Sequence, residues 1–306
     1  MTMHPTLQRA ALAASLATLA ACASSTTGSV TGSSRSQLLI VPESQVIQAS
    51  EQYYTQQRSQ ASAARVLVTS GPEYSRVYNV MQRIVPQVRT FRPDAVDWKW
   101  ELTLIDQPTV NATAMAGGKV TFYTGIIRQL RLTDDEIAMI MGHEIAHALR
   151  EHTREKMSQQ QAGNLAMMVG GLALGANQAQ MNMANMAKQI GLDLPFSRTM
   201  ESEADLYGTE LAARAGYDPR AAVTLWDKMA ALSGGGGSPS FLSTHPASTD
   251  RKATLEALLP KMMPLYKSAR AAQPAAQPAS ATAGAAAQTT PAATPQPQPR
   301  RRGTSQ

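Results

Sequence analysis

One short run constrains this 306-residue chain more than any other: His143-Glu144-Ile145-Ala146-His147. On a helix its two histidines point the same way, because four residues make slightly more than one turn. The run reads as helix. Thr133-Asp134-Asp135-Glu136 has the form of a capping box, and apolar Ile137, Ile140, Met141 and Ile145 follow it. The fold therefore has to carry a helix over 133–156 with both imidazoles on one face. Histidine is scarce. The chain has five, and His143, His147 and His152 fall within ten residues, so a chance pairing accounts poorly for the cluster.

The chemistry follows from the spacing. Two such imidazoles can reach one zinc ion at about 2.0–2.1 Å, with Glu144 placed to activate a water at that metal. H-E-x-x-H on a helix is a pattern of zinc metallopeptidases. A catalytic zinc takes three protein ligands and keeps one position open. The candidates for the third ligand are His152, Glu201, Glu203, Asp205 and His245. His152, on the same helix, is rotated about 140° from His147, should not reach the same metal, and reads as a surface or packing residue. Glu201 and Asp205 lie four apart on a second, acidic helix over 199–215 and share a face, whereas Glu203 points elsewhere and is expected to be solvated. Spacing alone leaves Glu201, Glu203 and Asp205 open.

The rest of the central region reads as one domain over 37–266, long enough to bury a full core. Helices are expected over 44–60 and 72–88, the second from the period of Val77, Val80, Met81, Ile84, Val85 and Val88. Residues 98–105 alternate as a strand, and 110–115 and 120–124 read as two more, joined by a turn at Gly117-Gly118. Trp98, Trp100 and Trp226 read as core. A Met-rich amphipathic helix is expected within 161–190, packing on or shielding the site. Its apolar run is too short to span a bilayer. Gly216 should stop the acidic helix, and Asp218-Pro219 should start another. A Gly-rich loop at 233–238 leads to His245-Pro246 and a last helix to about 259. No internal repeat is present.

The termini read differently. Residues 1–22 have a basic Arg9, a short apolar stretch and Leu19-Ala20-Ala21-Cys22, the layout of a signal segment. That ending resembles a bacterial lipobox, so Cys22 is the expected lipidation site, and Ala23 after it favours the outer membrane. Cys22 is the only cysteine, which excludes a disulfide framework and a thiolate metal site. Residues 23–36 read as a flexible tether and 267–306 as a disordered Ala/Pro/Gln-rich tail. The net charge of +6 does not point to nucleic acid. Between residues 23 and 260, 21 basic and 22 acidic side chains balance, and the surplus sits in Arg9, Lys261, Lys267, Arg270, Arg300, Arg301 and Arg302. No nucleic-acid motif is present.

Four segments in order carry a family resemblance: Asn111-Ala-Thr-Ala-Met-Ala-Gly-Gly118, the His143–His147 run, Ser197-Arg198 with Glu201 and Asp205, and Thr244-His245-Pro246 with Arg251. Together they resemble the zinc metallopeptidases that include HtpX and the CaaX prenyl proteases (peptidase family M48), and the lipobox points to its periplasmic lipoprotein branch. The resemblance implies an α+β fold: a mainly helical, zincin-like metallopeptidase domain with a small three-stranded sheet whose edge strand lies beside the active-site helix. It implies one Zn2+ per chain held by His143, His147 and Glu201, with Glu144 as the catalytic base and Asp205 orienting a ligand histidine. It makes Asn111, Ala112, Thr113 and Ala114 an edge to which a substrate chain can add as a strand. His245 has three readings: a transition-state donor, a structural residue, or a plug that supplies a fourth ligand, the self-inhibited arrangement ascribed to periplasmic relatives. Arg198 and Arg251 are regulatory or transition-state candidates, with pairing to carboxylates the favoured role.

The expected function is a zinc endopeptidase of the bacterial cell envelope, in the periplasm and anchored to the outer membrane through Cys22. Its expected partners are unfolded or misassembled envelope proteins as substrates, and the membrane. The alternative is a chaperone-like outer-membrane assembly lipoprotein with latched or secondary proteolysis. An intact Glu144 favours the first reading.

Overall fold

The computed structural model describes residues 22–23, 26, 29–30, 35–173, 196–234, 240–246 and 250–272. The signal segment up to residue 21, the second half of the Met-rich stretch, most of the Gly-rich loop and the tail beyond 272 lie outside the described residues.

The N-terminal residues pair as two short strands, β1 (Cys22–Ala23) and β2 (Gln37–Leu38), with Cys22 opposite Leu38. Helix α1 (Glu43–Ala63), strand β3 (Leu67–Val68) and helix α2 (Pro72–Ile84) follow. Pro72 at the first helical turn, where its missing N–H costs nothing, starts α2. Two 3-10 turns, Val85–Thr90 and Pro93–Asp97, lead to strands β4 (Glu101–Ile105), β5 (Ala112–Met115) and β6 (Lys119–Tyr123). Then come α3 (Thr124–Gln129), α4 (Asp134–Leu149), α5 (His152–Ala173), α6 (Arg198–Arg214), α7 (Ala221–Gly234), the single turn α8 (Ser240–Thr244) and α9 (Arg251–Ala272).

The sheet order is β3-β4-β6-β5. β4 and β6 run parallel, with Glu101 opposite Lys119, and β5 closes one edge antiparallel to β6, with Ala112 opposite Phe122. The sheet therefore has four strands where three are expected. The extra one, β3, is two residues long, too short to announce itself by alternation.

Helix α4 is the axis of the domain. Both halves of the capping box form: Glu136 N–H donates to Thr133 Oγ1 and Thr133 N–H to Glu136 Oε2. Every residue from Glu136 to Leu149 is buried. β5 packs against one side, α6 against another, and α2 and α7 close the remainder. The shared core runs through Ile84, Leu104, Phe122, Ile137, Ile140, Met141, Ile145, Tyr207 and Leu211. Trp98, Trp100 and Trp226 pack against that core while half-buried. Among the described residues, no helix is long and apolar enough to cross a membrane.

Three expectations need correction. The helix predicted over 133–156 is two helices, broken where Glu151 takes a left-handed φ of 52°. The tether expected over 23–36 is docked along its described residues: Ser29 Oγ donates to Glu210, Arg150 donates to Thr26 Oγ1, and Arg35 pairs with Glu155 and Glu203. The last helix, expected to end at about 259, runs to Ala272.

Candidate active site

α4 and α6 cross at two glycines. A Cβ on Gly142 would lie 2.4 Å from the Gly208 carbonyl oxygen, and one on Gly208 would lie 2.5 Å from His143 N. Only glycine fits at either position, and the backbone contact it permits brings the acidic face of α6 against the histidines of α4. The N-terminus of α6 is fixed by Ser197, whose hydroxyl accepts from Met200 N–H. Gly216, at φ 80°, ends the segment that follows.

His143, His147, Glu201 and His245 are all buried, and each offers a ligand atom within 4.8 Å of the others. His143 Nε2 lies 3.1 Å from His147 Nε2. Glu201 places Oε1 3.3 Å from His147 Nε2 and Oε2 3.5 Å from His143 Nε2. His245 Nδ1 lies 3.0 Å from Glu201 Oε1 and 3.2 Å from His143 Nε2. Tetrahedral ligands at about 2.0–2.1 Å stand roughly 3.3 Å from each other, and these 3.0–3.5 Å separations match edges of that size. Imidazole and carboxylate donors also suit zinc chemically.

His143 and His147 each have the second nitrogen engaged, as metal-bound imidazoles require. His143 Nδ1 is 3.0 Å from Asp205 Oδ1. Arg251 holds Asp205 in turn, donating from Nε to Oδ2 at 2.6 Å and from Nη2 to Oδ1 at 2.7 Å, and reaches Glu201 Oε2 at 2.8 Å through Nη1. Its guanidinium lies 3.8 Å from the Trp226 ring centroid. His147 Nδ1 is 2.9 Å from His152 Nδ1, and His152 Nε2 is 3.0 Å from Glu203 Oε2.

The charges follow from these contacts. Burial alone would push His143 down, but hydrogen bonds to Asp205 and Glu201 raise it to about 9 in the metal-free cluster. Burial drives His147 well below the usual range, which keeps its imidazole neutral. Burial opposes ionisation of Glu201 and Asp205 too. The three histidines outweigh it at Glu201, as do Arg251 and His143 at Asp205, so both carboxyls are depressed. Glu144 moves the opposite way. Burial raises its pKa, against opposing pulls from His245, His143 and a hydrogen bond from the Ala114 backbone. Glu144 Oε1 is buried with no hydrogen-bond partner, although His245 Nε2 stands 3.3 Å away in poor alignment. A carboxylate oxygen left over beside a donor cluster is a seat for a reacting water.

The expected residues sort cleanly. His143, Glu144, His147, Glu201, Asp205, His245 and Arg251 come together. Asn111, Ala112, Thr113 and Ala114 lie at the sheet edge beside α4, with Ala114 reaching Glu144. Arg198 does not join the site: it is exposed in the first turn of α6. Glu203, expected to be solvated, is buried and bonded to Arg35, Arg150 and His152. His152 is fully buried and acts on His147, because the break at Glu151 swings it under that residue. No short-range pattern announces Gly142 and Gly208 as the contact that sets the helix spacing. Their one signal is a glycine on each site-bearing helix, one residue before His143 and three after Asp205.

The model of the family described as Peptidase family M48 matches residues 72–259. The mitochondrial metalloendopeptidase OMA1 of Schizosaccharomyces pombe is 35% identical over 198 residues, 64% of this chain and 56% of that protein. Metalloprotease LoiP of Escherichia coli is 32% identical over 145 residues, 46% of this chain and 56% of LoiP. A putative beta-barrel assembly-enhancing protease of Vibrio cholerae is 31% identical over 157 residues, 48% of this chain and 32% of its own length. The chain thus spans between about a third and a little over half of the length of these relatives.

Proposed function

The chain belongs to peptidase family M48, and from that premise we propose that it is a zinc-dependent endopeptidase of the bacterial cell envelope, acting on misfolded or misassembled proteins. The observation that carries this reading is Glu144: a buried carboxylate with a raised pKa and an unpartnered oxygen, directly beside a donor set that fits zinc. A structural metal site has no use for such a group.

When bound, a zinc ion supplies Lewis acidity, lowering the pKa of a water and polarising a peptide carbonyl. His143, His147 and Glu201 are its ligands in this reading, with Asp205 and His152 fixing the two imidazoles. Glu144 takes the proton from the attacking water and returns it to the leaving amine, a role its raised pKa suits. The substrate chain pairs along β5 at Asn111, Ala112, Thr113 and Ala114, which holds the scissile carbonyl near Glu144. Backbone pairing tolerates many sequences, as action on unfolded chains requires. The bacterial relatives LoiP and the assembly-enhancing protease support an envelope location, and Cys22 is the proposed lipid anchor to the outer membrane. Residues up to 22 act as the signal segment in this reading.

A second reading concerns the resting state. With His245 Nδ1 among the donors, four protein ligands are present, and a catalytic zinc needs one position free. His245 is thus proposed to latch the site until substrate displaces it. Zinc content and casein cleavage, measured for wild type, Glu144→Gln and His245→Ala, test both readings. Glu144→Gln should keep its zinc and lose about 10²–10⁴-fold in kcat. His245→Ala should cleave faster than wild type. Zinc retained by all three with no cleavage by any would overturn the peptidase reading, and slower cleavage by His245→Ala would overturn the latch.

A further inference from the structure

The brace on His143 is contained within the site, in Asp205, Arg251 and Trp226. The brace on His147 leaves it. From His147 Nδ1 the contacts run to His152 and then to Glu203, and Glu203 is gripped from outside the site's own elements. Arg35 donates to Glu203 from Nε to Oε1 at 2.9 Å and from Nη2 to Oε2 at 3.1 Å. The same guanidinium donates to Glu155 from Nη1 at 2.6 Å and from Nη2 at 2.8 Å. Arg150 adds a contact to Glu203 Oε2 at 3.1 Å. Arg35 belongs to the N-terminal segment. Its neighbour Gln37 pins that segment separately, donating to the Arg150 carbonyl at 2.6 Å and to Glu155 at 2.8 Å.

The order of protons along this chain is fixed by chemistry. A histidine that ligates through Nε2 carries its proton on Nδ1. His147 Nδ1–H then donates to His152 Nδ1, so His152 must carry its proton on Nε2 and donate it to Glu203. Glu203 has to be an anion, which two guanidiniums guarantee. The two histidine bonds run in one direction and end at Glu203, which Arg35 and Arg150 hold by donating from the other side. Arg35 holds both oxygens of Glu203 in a forked contact, and such contacts fix the plane of a carboxylate as well as its charge.

We propose that Arg35 is a positioning residue of the metal site. It sets the plane of Glu203, which sets the tautomer and ring plane of His152 and through it the direction of the His147 lone pair. Metal affinity thereby depends on the Arg35–Glu203 contact itself. The inference rests on the reading of His147 as a zinc ligand.

The test compares full-length wild type, Arg35→Gln, Arg35→Lys and Gln37→Ala. The readouts are zinc Kd by chelator competition, the visible spectrum of the cobalt-loaded protein, and the thermal midpoint without metal. Partners one step closer to a metal are worth about 10–100-fold in affinity, so Arg35→Gln should raise the zinc Kd by about 3–10-fold and change the cobalt bands. Arg35→Lys keeps the charge without the fork and should recover only part of the affinity. Gln37→Ala loosens the same segment without touching Glu203, and should lower the metal-free midpoint while leaving Kd and spectrum as in wild type. Arg35→Gln indistinguishable from wild type in Kd and spectrum overturns the proposal. So does Gln37→Ala raising Kd as much as Arg35→Gln, since segment docking alone would then account for the effect. A wild-type chain that takes up no zinc overturns the metal reading itself, a failure visible before any variant is compared.

Discussion

His143 and His147 stand one helical turn apart on α4 and play the same part, yet their supports differ in kind. Behind His143 are a carboxylate, an arginine and an indole, all from α6, α7 and α9. Behind His147 are a second histidine from across a helix break, a glutamate, and an arginine from the N-terminal segment. The first support is short and closes on itself. The second is long and as firm as its most distant member. Two candidate donors equal in sequence are therefore unequal in how they can be disturbed.

Gly208→Ala tests whether the two supports share a foundation. Its Cβ would lie 2.5 Å from His143 N and 2.6 Å from the Gly142 carbonyl carbon, so α4 and α6 must separate and both supports fail together. The expected result is loss of zinc with a destabilisation of about 3 kcal/mol or more, read by metal analysis and thermal melting. Bound zinc at wild-type stability would show that the helices are not set by this contact.

Asp205→Ala and His152→Gln then separate the sides. Asp205→Ala strips the His143 side and leaves Arg251 with one carboxylate fewer, for an expected loss of about 100-fold in zinc affinity, at the upper end of what such partners contribute. His152→Gln weakens the His147 side by about 10-fold, at the lower end. In the double variant the two losses should add within about 0.5 kcal/mol if the supports are independent. A strongly sub-additive result would mean that the metal reads them as one unit.

The smallest effects are in pH, and the sides titrate at opposite ends. His143 is raised to about 9 from an ordinary 6.5, so its proton stabilises the metal-free fold fully below pH 6.5, and that contribution is lost as pH rises through 9. Zinc displaces the same proton, so zinc affinity should climb with pH and flatten above about 9. At Glu203 burial works against the anion, but hydrogen bonds from His152 and Arg35 and the Arg150 charge hold it down to about 2. Its stabilisation is present above pH 4.5 and is lost as pH falls toward 2. Melting curves across both ranges check the pair, with Glu203→Gln expected to flatten the acid limb alone.

The His143 side was legible in the residues as far as its two helices and their shared acidic face, while the role of Asp205 was an implication of the family resemblance. A capping box, a helical period and a second helix carrying Glu201 and Asp205 on one face are local signals, and the structure assembles them as those signals require. The His147 side was not. The break at Glu151 is a single left-handed residue of a type that rarely adopts that conformation, and nothing in the surrounding period marks it. Reading the helix through it sends His152 to the wrong face. Glu203 was misread for a different reason: its burial depends on Arg35 and Arg150, partners far away in sequence. Short-range patterns carry no record of such contacts. The same holds for the described part of the N-terminal segment, whose composition is that of a linker although Thr26, Ser29 and Arg35 are docked.

Because Gly142 and Gly208 meet backbone to backbone, the distance from the histidines to Glu201 and Asp205 is gauged by peptide units and not by side chains. Peptide units have one size whatever the sequence. Exchanges among Ile, Leu and Met elsewhere along α4 and α6 can tilt or swell the flanks of the pair, but they pivot about a point that does not change thickness. The bite of the site is thus insulated from drift in the core around it. Selection can rework the packing of this domain for stability, temperature or partner without retuning the spacing of its donors.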